Sequence, residues 1–233
     1  MTIAAPATTE RPILFSGEMV RAILEGRKTQ TRRVVVPTQS KPRVAPLRME
    51  PWIIDGEQQE DDYGAPAWAG FHPEYWGEAK WFTCPYGQVG DRLWVRETWR
   101  PCAVPQCSDT AICVEYRESD YCKLGHLSTL NRTGWRPSIF MPRKACRLEL
   151  IVLEVHLVLL QDITGHEVIT EGIPPLRIHQ PDVGRTGRGP LLDAFASGWD
   201  KINGKRAKGA YAWDKNPWVW DIHYKRATRL RGE

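Results

Sequence analysis

The stretch GRKTQTRR, residues 26–33, sets one lysine, two threonines and three arginines in eight consecutive positions. A threonine hydroxyl is a nucleophile only when a nearby base takes its proton, and Lys28 is the base closest to Thr31 in sequence. Three positions apart, the two share a face if the backbone is still turning there, and lie on opposite faces if both sit in a strand. Arg27, Arg32 and Arg33 repel a further positive charge, which favours the neutral amine that a general base must be. The plainer reading of the same residues is a pair of strand threonines among solvated cations. Among the carboxylates, Glu171 stands just before Gly172, where a helix end can aim it into a cleft or leave it exposed. Arg96 and Glu97 follow Trp94 in LWVRETW and, being adjacent, face opposite sides of a strand. One of the two can line a binding surface while the other pairs elsewhere.

Metal chemistry has little support at this level. The six histidines are scattered, with no HExxH and no HxE paired with PCxxC, which disfavours metal hydrolases and zinc deaminases. Cysteines 84, 102, 107, 113, 122 and 146 form no CxxC pair, so reduced thiols are expected rather than a zinc site. No metal and no cofactor is predicted.

The elements that must position these residues follow from apolar spacing. Met19, Val20, Ala22, Ile23 and Leu24 recur at helical spacing, with Gly26 as the stop, and TRRVVVP reads as a strand closed by Pro37. GRKTQTRR therefore straddles a helix-to-strand junction. LWVRETW alternates as a strand, and RLELIVLEVHLVLL reads as a bent strand or a tight pair of strands. Thr164 and Glu167 have capping-box spacing at the start of a short helix, with His166 on its surface. LLDAFASGWDKING is an amphipathic helix, and NPWVWDIHYK is a final strand with Trp218, Trp220, Ile222 and Tyr224 alternating. Residues 38–83 and 101–133 have no sustained period and are predicted to be irregular insertions. Short, sequence-distant strands with few helices point to an α+β fold built on a small mixed barrel rather than a βαβ sheet.

A chain of 233 residues with 42% hydrophobic and 26% charged content suits one globular domain with insertions. Residues 11–225 are assigned to it, with tails at 1–10 and 226–233. The start lacks the basic segment and apolar stretch of a secretory signal, and no apolar run is long enough to span a membrane. A cytoplasmic protein is expected. The net charge of +4 allows an anionic ligand without demanding a long polynucleotide. Eleven tryptophans supply core area and aromatic faces on which bases can stack.

Taken together, these residues resemble a known family. GRKTQTRR is similar to the GxKxxExR signature of the ASCH domain, a PUA-like β-barrel, with Gly26, Lys28 and Arg33 matching and Thr31 standing where many members carry glutamate. GEMVRAILEGRKTQTRRVV, CPYGQVGDRLWVRETW, RPSIFMPRKACRLEL and NPWVW, in that order, resemble ASCH-containing proteins common in phages and prophages. The likeness covers roughly residues 11–36, 84–100 and 134–225. Bacterial acetylcytidine amidohydrolases, a branch of the family, carry an RKTxT segment in which the lysine and the second threonine are catalytic, and a helix glutamate that falls on Glu171 here. The resemblance implies hydrolysis of an amide on an acylated nucleobase or nucleoside by Lys28, Thr31 and Glu171. Arg27, Thr29, Arg33, Trp94, Arg96 and Glu97 are candidates to bind the substrate. A non-catalytic module that binds short single-stranded RNA or a modified base, or an ASCH-type ribonuclease, is the alternative that the same family allows.

Overall fold

The computed structural model describes residues 8–36, 84–102, 113–119, 134–174 and 189–227, together with short strands between 48 and 82. In chain order the elements are β1 (Glu10–Leu14), α1 (Gly17–Leu24), β2 (Gln30–Val34), β3 (Arg48–Pro51), β4 (Ile53–Ile54), β5 (Glu57–Gln58), β6 (Trp68–Phe71) and β7 (Lys80–Phe82). Then come β8 (Arg92–Arg96), β9 (Trp99–Pro101), β10 (Val114–Tyr116), β11 (Glu149–Leu159), α2 (Gly165–Thr170), α3 (Pro190–Asn203) and β12 (Trp218–Arg226). The chain divides into two compact units. The first combines Met1–Lys28, Val89–Leu153 and Tyr224–Glu233; the second combines Thr29–Gln88 and Glu154–His223.

In the first unit, β1 runs parallel to β8, from Glu10 opposite Arg92 to Leu14 opposite Arg96. β8 pairs antiparallel with the start of β11, Trp94 opposite Glu149, so the sheet is mixed. α1 begins at Ser16, whose hydroxyl accepts the Met19 N–H at 3.4 Å, and buries Val20, Ala22 and Ile23. It stops as the sequence predicts. Gly26 takes a positive φ of 76°, and the N–H groups of Arg27 and Lys28 both return to the Ala22 carbonyl, at 2.9 and 3.1 Å. β9 and β10 form an antiparallel ribbon over a core of Trp99, Val114, Tyr116, Met141, Ala145 and Cys146. The Tyr116 hydroxyl, buried in that core, donates to the Ala145 carbonyl at 2.8 Å.

In the second unit, β12 lies between β11 and β2. β12 and β2 are antiparallel, with Val219 opposite Val34, Asp221 opposite Arg32 and Ile222 opposite Thr31. α2 and α3 pack over the core of this unit, which contains Val34, Leu160, Ile163, Val168, Phe195, Ala196, Trp199, Trp213 and Val219. The aromatic rings there meet in tilted and edge-on pairs, Phe195 with Trp199 at 6.2 Å and with Trp213 at 5.9 Å.

Three differences from the sequence reading stand out. Residues 149–159 form one unbroken strand rather than a pair. Its first five residues belong to the first unit and the rest to the second, where Val158 packs against the core. The region 38–83 carries strands, with β3, β6 and β7 in one small sheet and β4 and β5 in another, where an irregular insertion was expected. Finally, β1 and β2 each have a single strand neighbour, so the sheets among the described residues are open. Helices with mixed sheets make the fold α+β. β1 begins at Glu10 and β12 runs to Arg226; residues 1–7 and 228–233 of the expected tails lie outside the described residues, as does most of 101–133. No helix among the described residues is long and apolar enough to cross a membrane.

Candidate functional site

β2 is an edge strand, so the N–H groups on its outer side need partners from elsewhere. The C-terminal end of α2 supplies them. Thr29 N–H donates to the Thr170 carbonyl at 2.9 Å, and Arg32 N–H donates to Glu171 Oε1 at 2.6 Å. The capping box predicted from sequence fixes the other end of this helix: Thr164 Oγ1 accepts the Glu167 N–H at 3.3 Å while Glu167 Oε2 accepts the Thr164 N–H at 2.6 Å. Gly172, at a φ of 96°, turns the chain directly after Glu171. Thr31 is thus held in a peptide run gripped on both sides by α2. It is 2% exposed, and Glu171 is 8% exposed.

Alternation along β2 gives it two polar faces. Thr31 and Arg33 share one. Arg33, half-buried, holds its guanidinium over the Tyr86 ring at 5.9 Å. Gln30 and Arg32 share the other. The buried Arg32 guanidinium contacts Glu167 Oε1 and Asp221 Oδ2, each at 3.2 Å, and Gln30 Nε2 reaches the Glu167 carbonyl at 3.4 Å. Burial would push the Glu167 carboxyl upward, but the Thr164 N–H and hydroxyl and the Arg32 charge outweigh it and hold the group below its ordinary 4.5. Next along β12, His223 is raised above its ordinary 6.5, first by its hydrogen bond to Asp221, against the opposing effect of burial.

The remaining predicted residues lie in the first unit. Lys28 is 2% exposed, and its Nζ sits 5.6 Å from the centre of the Phe15 ring. Arg27 pairs with Glu25 two residues earlier, Nε to Oε2 at 2.8 Å. Trp94 packs on the Tyr116 core and carries the Arg96 guanidinium over its ring at 5.4 Å, while Arg96 also donates to the Ile139 carbonyl. Glu97 is buried, with both carboxylate oxygens engaged by Arg147 at 2.9 and 2.7 Å. The second unit therefore brings Thr29, Thr31 and Glu171 to the α2 end, with Arg33 over Tyr86 on the Thr31 face, whereas Trp94, Arg96 and Glu97 belong to the β8 region of the first. His166 is exposed on α2, as expected.

Sequence reasoning passed over Glu154, His156, Asp221 and His223. The signal was present: Glu154 and His156 are two apart in one strand, as are Asp221 and His223 in another, so each pair shares a face. Among the described residues, Cys84, Cys102, Cys113 and Cys146 are not joined in disulfides. Cys146 is raised above its ordinary 9.0, chiefly by burial; Cys107 and Cys122 lie outside the described residues.

No family model matches this chain, and no curated protein and no solved structure matches it either.

Proposed function

We propose that the chain hydrolyses an amide on an acylated nucleobase or nucleoside of the acetylcytidine kind, on a fold related to the PUA-like barrels of ASCH domains. Thr31 Oγ1 attacks the amide carbonyl carbon, Lys28 takes the hydroxyl proton and passes it to the leaving amine, and water then releases the acid from the threonine ester. The observation that carries this reading is the burial of a lysine, a threonine and a glutamate that the sequence singles out, since burying polar groups is costly unless they are held or used. The Glu171 grip on the Arg32 N–H supports it further. It fixes the peptide that follows Thr31, and a nucleophile gains from a backbone that does not move. Arg33 and Tyr86, on the Thr31 face, offer a cation for a developing oxyanion and an aromatic surface for a base.

A binding-only reading, for a modified base or short single-stranded RNA, rests on a specific point: one Glu171 oxygen already accepts a backbone N–H. Release of cytidine from acetylcytidine separates the two. Turnover by the native protein, abolished in Thr31→Ala and Lys28→Ala variants that keep the native circular dichroism spectrum, supports the hydrolase. Absence of turnover over a panel of acylated nucleosides rejects it, and salt-dependent RNA binding then becomes the measurement for the alternative.

A further inference from the structure

We propose that Glu154, His156 and His223 form a binding site for a divalent first-row transition-metal ion of the zinc type, separate from Thr31. One donor atom from each of these residues lies within 4.8 Å of the others. A zinc-type ion holds its ligands at ~2.0–2.2 Å, which sets donors roughly 3–3.6 Å apart in a tetrahedral site. Side-chain rotation of about an ångström therefore closes the set. Two imidazoles and a carboxylate are a donor combination suited to zinc and its neighbours rather than to calcium or magnesium.

The backbone preorganises this arrangement. Glu154 and His156 alternate onto one face of β11, and His223 comes from the neighbouring strand β12. The two rings already meet edge to face, centroids 5.7 Å apart at 86°. Glu154 Oε2 lies 2.9 Å from His156 Nε2, so the proton they share is what the ion would displace. All three side chains are partly exposed, which leaves an entry path and freedom to adjust.

A second, independent observation stands behind His223. Asp221, 3% exposed, places Oδ2 at 3.4 Å from His223 Nε2, while its Oδ1 has no hydrogen-bond partner among the described residues. A buried carboxylate against a ligating imidazole orients the ring and strengthens it as a donor. Arg32, bonded to the same Asp221 oxygen, locks that carboxylate in place. Because Arg32 and Asp221 are cross-strand partners, the cluster occupies the face of the sheet opposite to Thr31. The ion would thus clamp β11 to β12 and take no part in the amide chemistry.

The test is a calorimetric titration of Zn2+ into untagged, chelator-stripped protein, with thermal unfolding recorded with and without the ion. The expected result is one equivalent of Zn2+ and a rise in Tm. Binding should be weaker by about tenfold or more in His156→Gln, a substitution at a half-exposed side chain that leaves the fold intact, and absent in the His156→Gln/His223→Gln double variant. A Cys102→Ser/Cys113→Ser variant should bind as the native protein does. Absence of a Zn2+ equivalent in the native protein, native-like binding by the double variant, or loss in the cysteine variant alone would each overturn the assignment.

Discussion

Both units bury acidic side chains, but they satisfy them differently. In the first unit, Glu97 and Glu115 each face an arginine through two nitrogens: Arg147 on Glu97, and Arg100 on Glu115 with Nε at 2.8 Å. Each arginine also stacks on an aromatic ring, Tyr116 at 4.1 Å and Trp135 at 4.6 Å. These pairs are closed: charge, hydrogen bonds and planar contact are all met within the fold. In the second unit, Glu171 accepts a backbone N–H, Asp221 divides one oxygen between Arg32 and His223, and Asp221 Oδ1, Arg32 Nε and Arg32 Nη1 are left without hydrogen-bond partners among the described residues. Closed pairs hold a fold together, whereas open polar groups at this depth mark a place where a ligand can complete the set. In that contrast the open groups, Asp221 and Arg32, lie on the face of the sheet opposite to Thr31, and Glu97, a candidate for substrate binding, has both carboxylate oxygens on Arg147.

The largest effect should come from breaking a closed pair. Arg147→Met strands Glu97 without a counter-charge and should lower unfolding free energy by about 3–5 kcal/mol, and the further change Glu97→Leu should recover most of it. Urea denaturation of the single and double variants measures both. In the second unit, Glu171→Ala leaves the Arg32 N–H unanswered and should cost about 1–3 kcal/mol. Glu171→Gln keeps a carbonyl oxygen for that bond, so it should cost little stability while lowering acetylcytidine turnover, which separates the brace from the charge. Thr164→Ala, which removes the hydroxyl of the capping box, should cost about 1 kcal/mol in the same assay.

The acid limb sharpens the comparison at smaller scale. Glu167 has its folded value below the ordinary 4.5, so its contribution is complete above that pH and is lost as the pH falls through the lower folded value. Glu167→Gln should therefore narrow the difference in stability between pH 7 and pH 3, read from Tm in low-salt buffer. The smallest effect concerns Cys146. Raised by burial, it should be alkylated at pH 7.5 more slowly than Cys102 and Cys113, which are only partly buried. Peptide mapping after brief iodoacetamide treatment would show the order.

Much of this architecture was legible because local signals and tertiary demands agreed. The Gly26 stop, the Thr164–Glu167 box and the 190–203 helix depend on spacing within a few residues, and each stands in the structure where the sequence set it. Residues 149–159 were harder, because an apolar β-branched run specifies a strand without saying whether it turns, and here it continues unbroken. The position of Glu171 before Gly172 marked it as a helix-end carboxylate, and its proposed role came only from the resemblance. Its bond to Arg32 joins positions 139 apart, and no local pattern encodes that. The Glu154, His156 and His223 set was missed for a similar reason. Each histidine is alone in sequence, and only the pairing of β11 with β12 brings them together.

The central claim is that Thr31 is a nucleophile, and the most direct measurement is mass spectrometry of protein acid-quenched during turnover of acetylcytidine, followed by peptide mapping. The account predicts an acetyl group on the peptide carrying Thr31, absent in Thr31→Ala. Turnover with no adduct on that peptide, or an adduct that persists in Thr31→Ala, would contradict it.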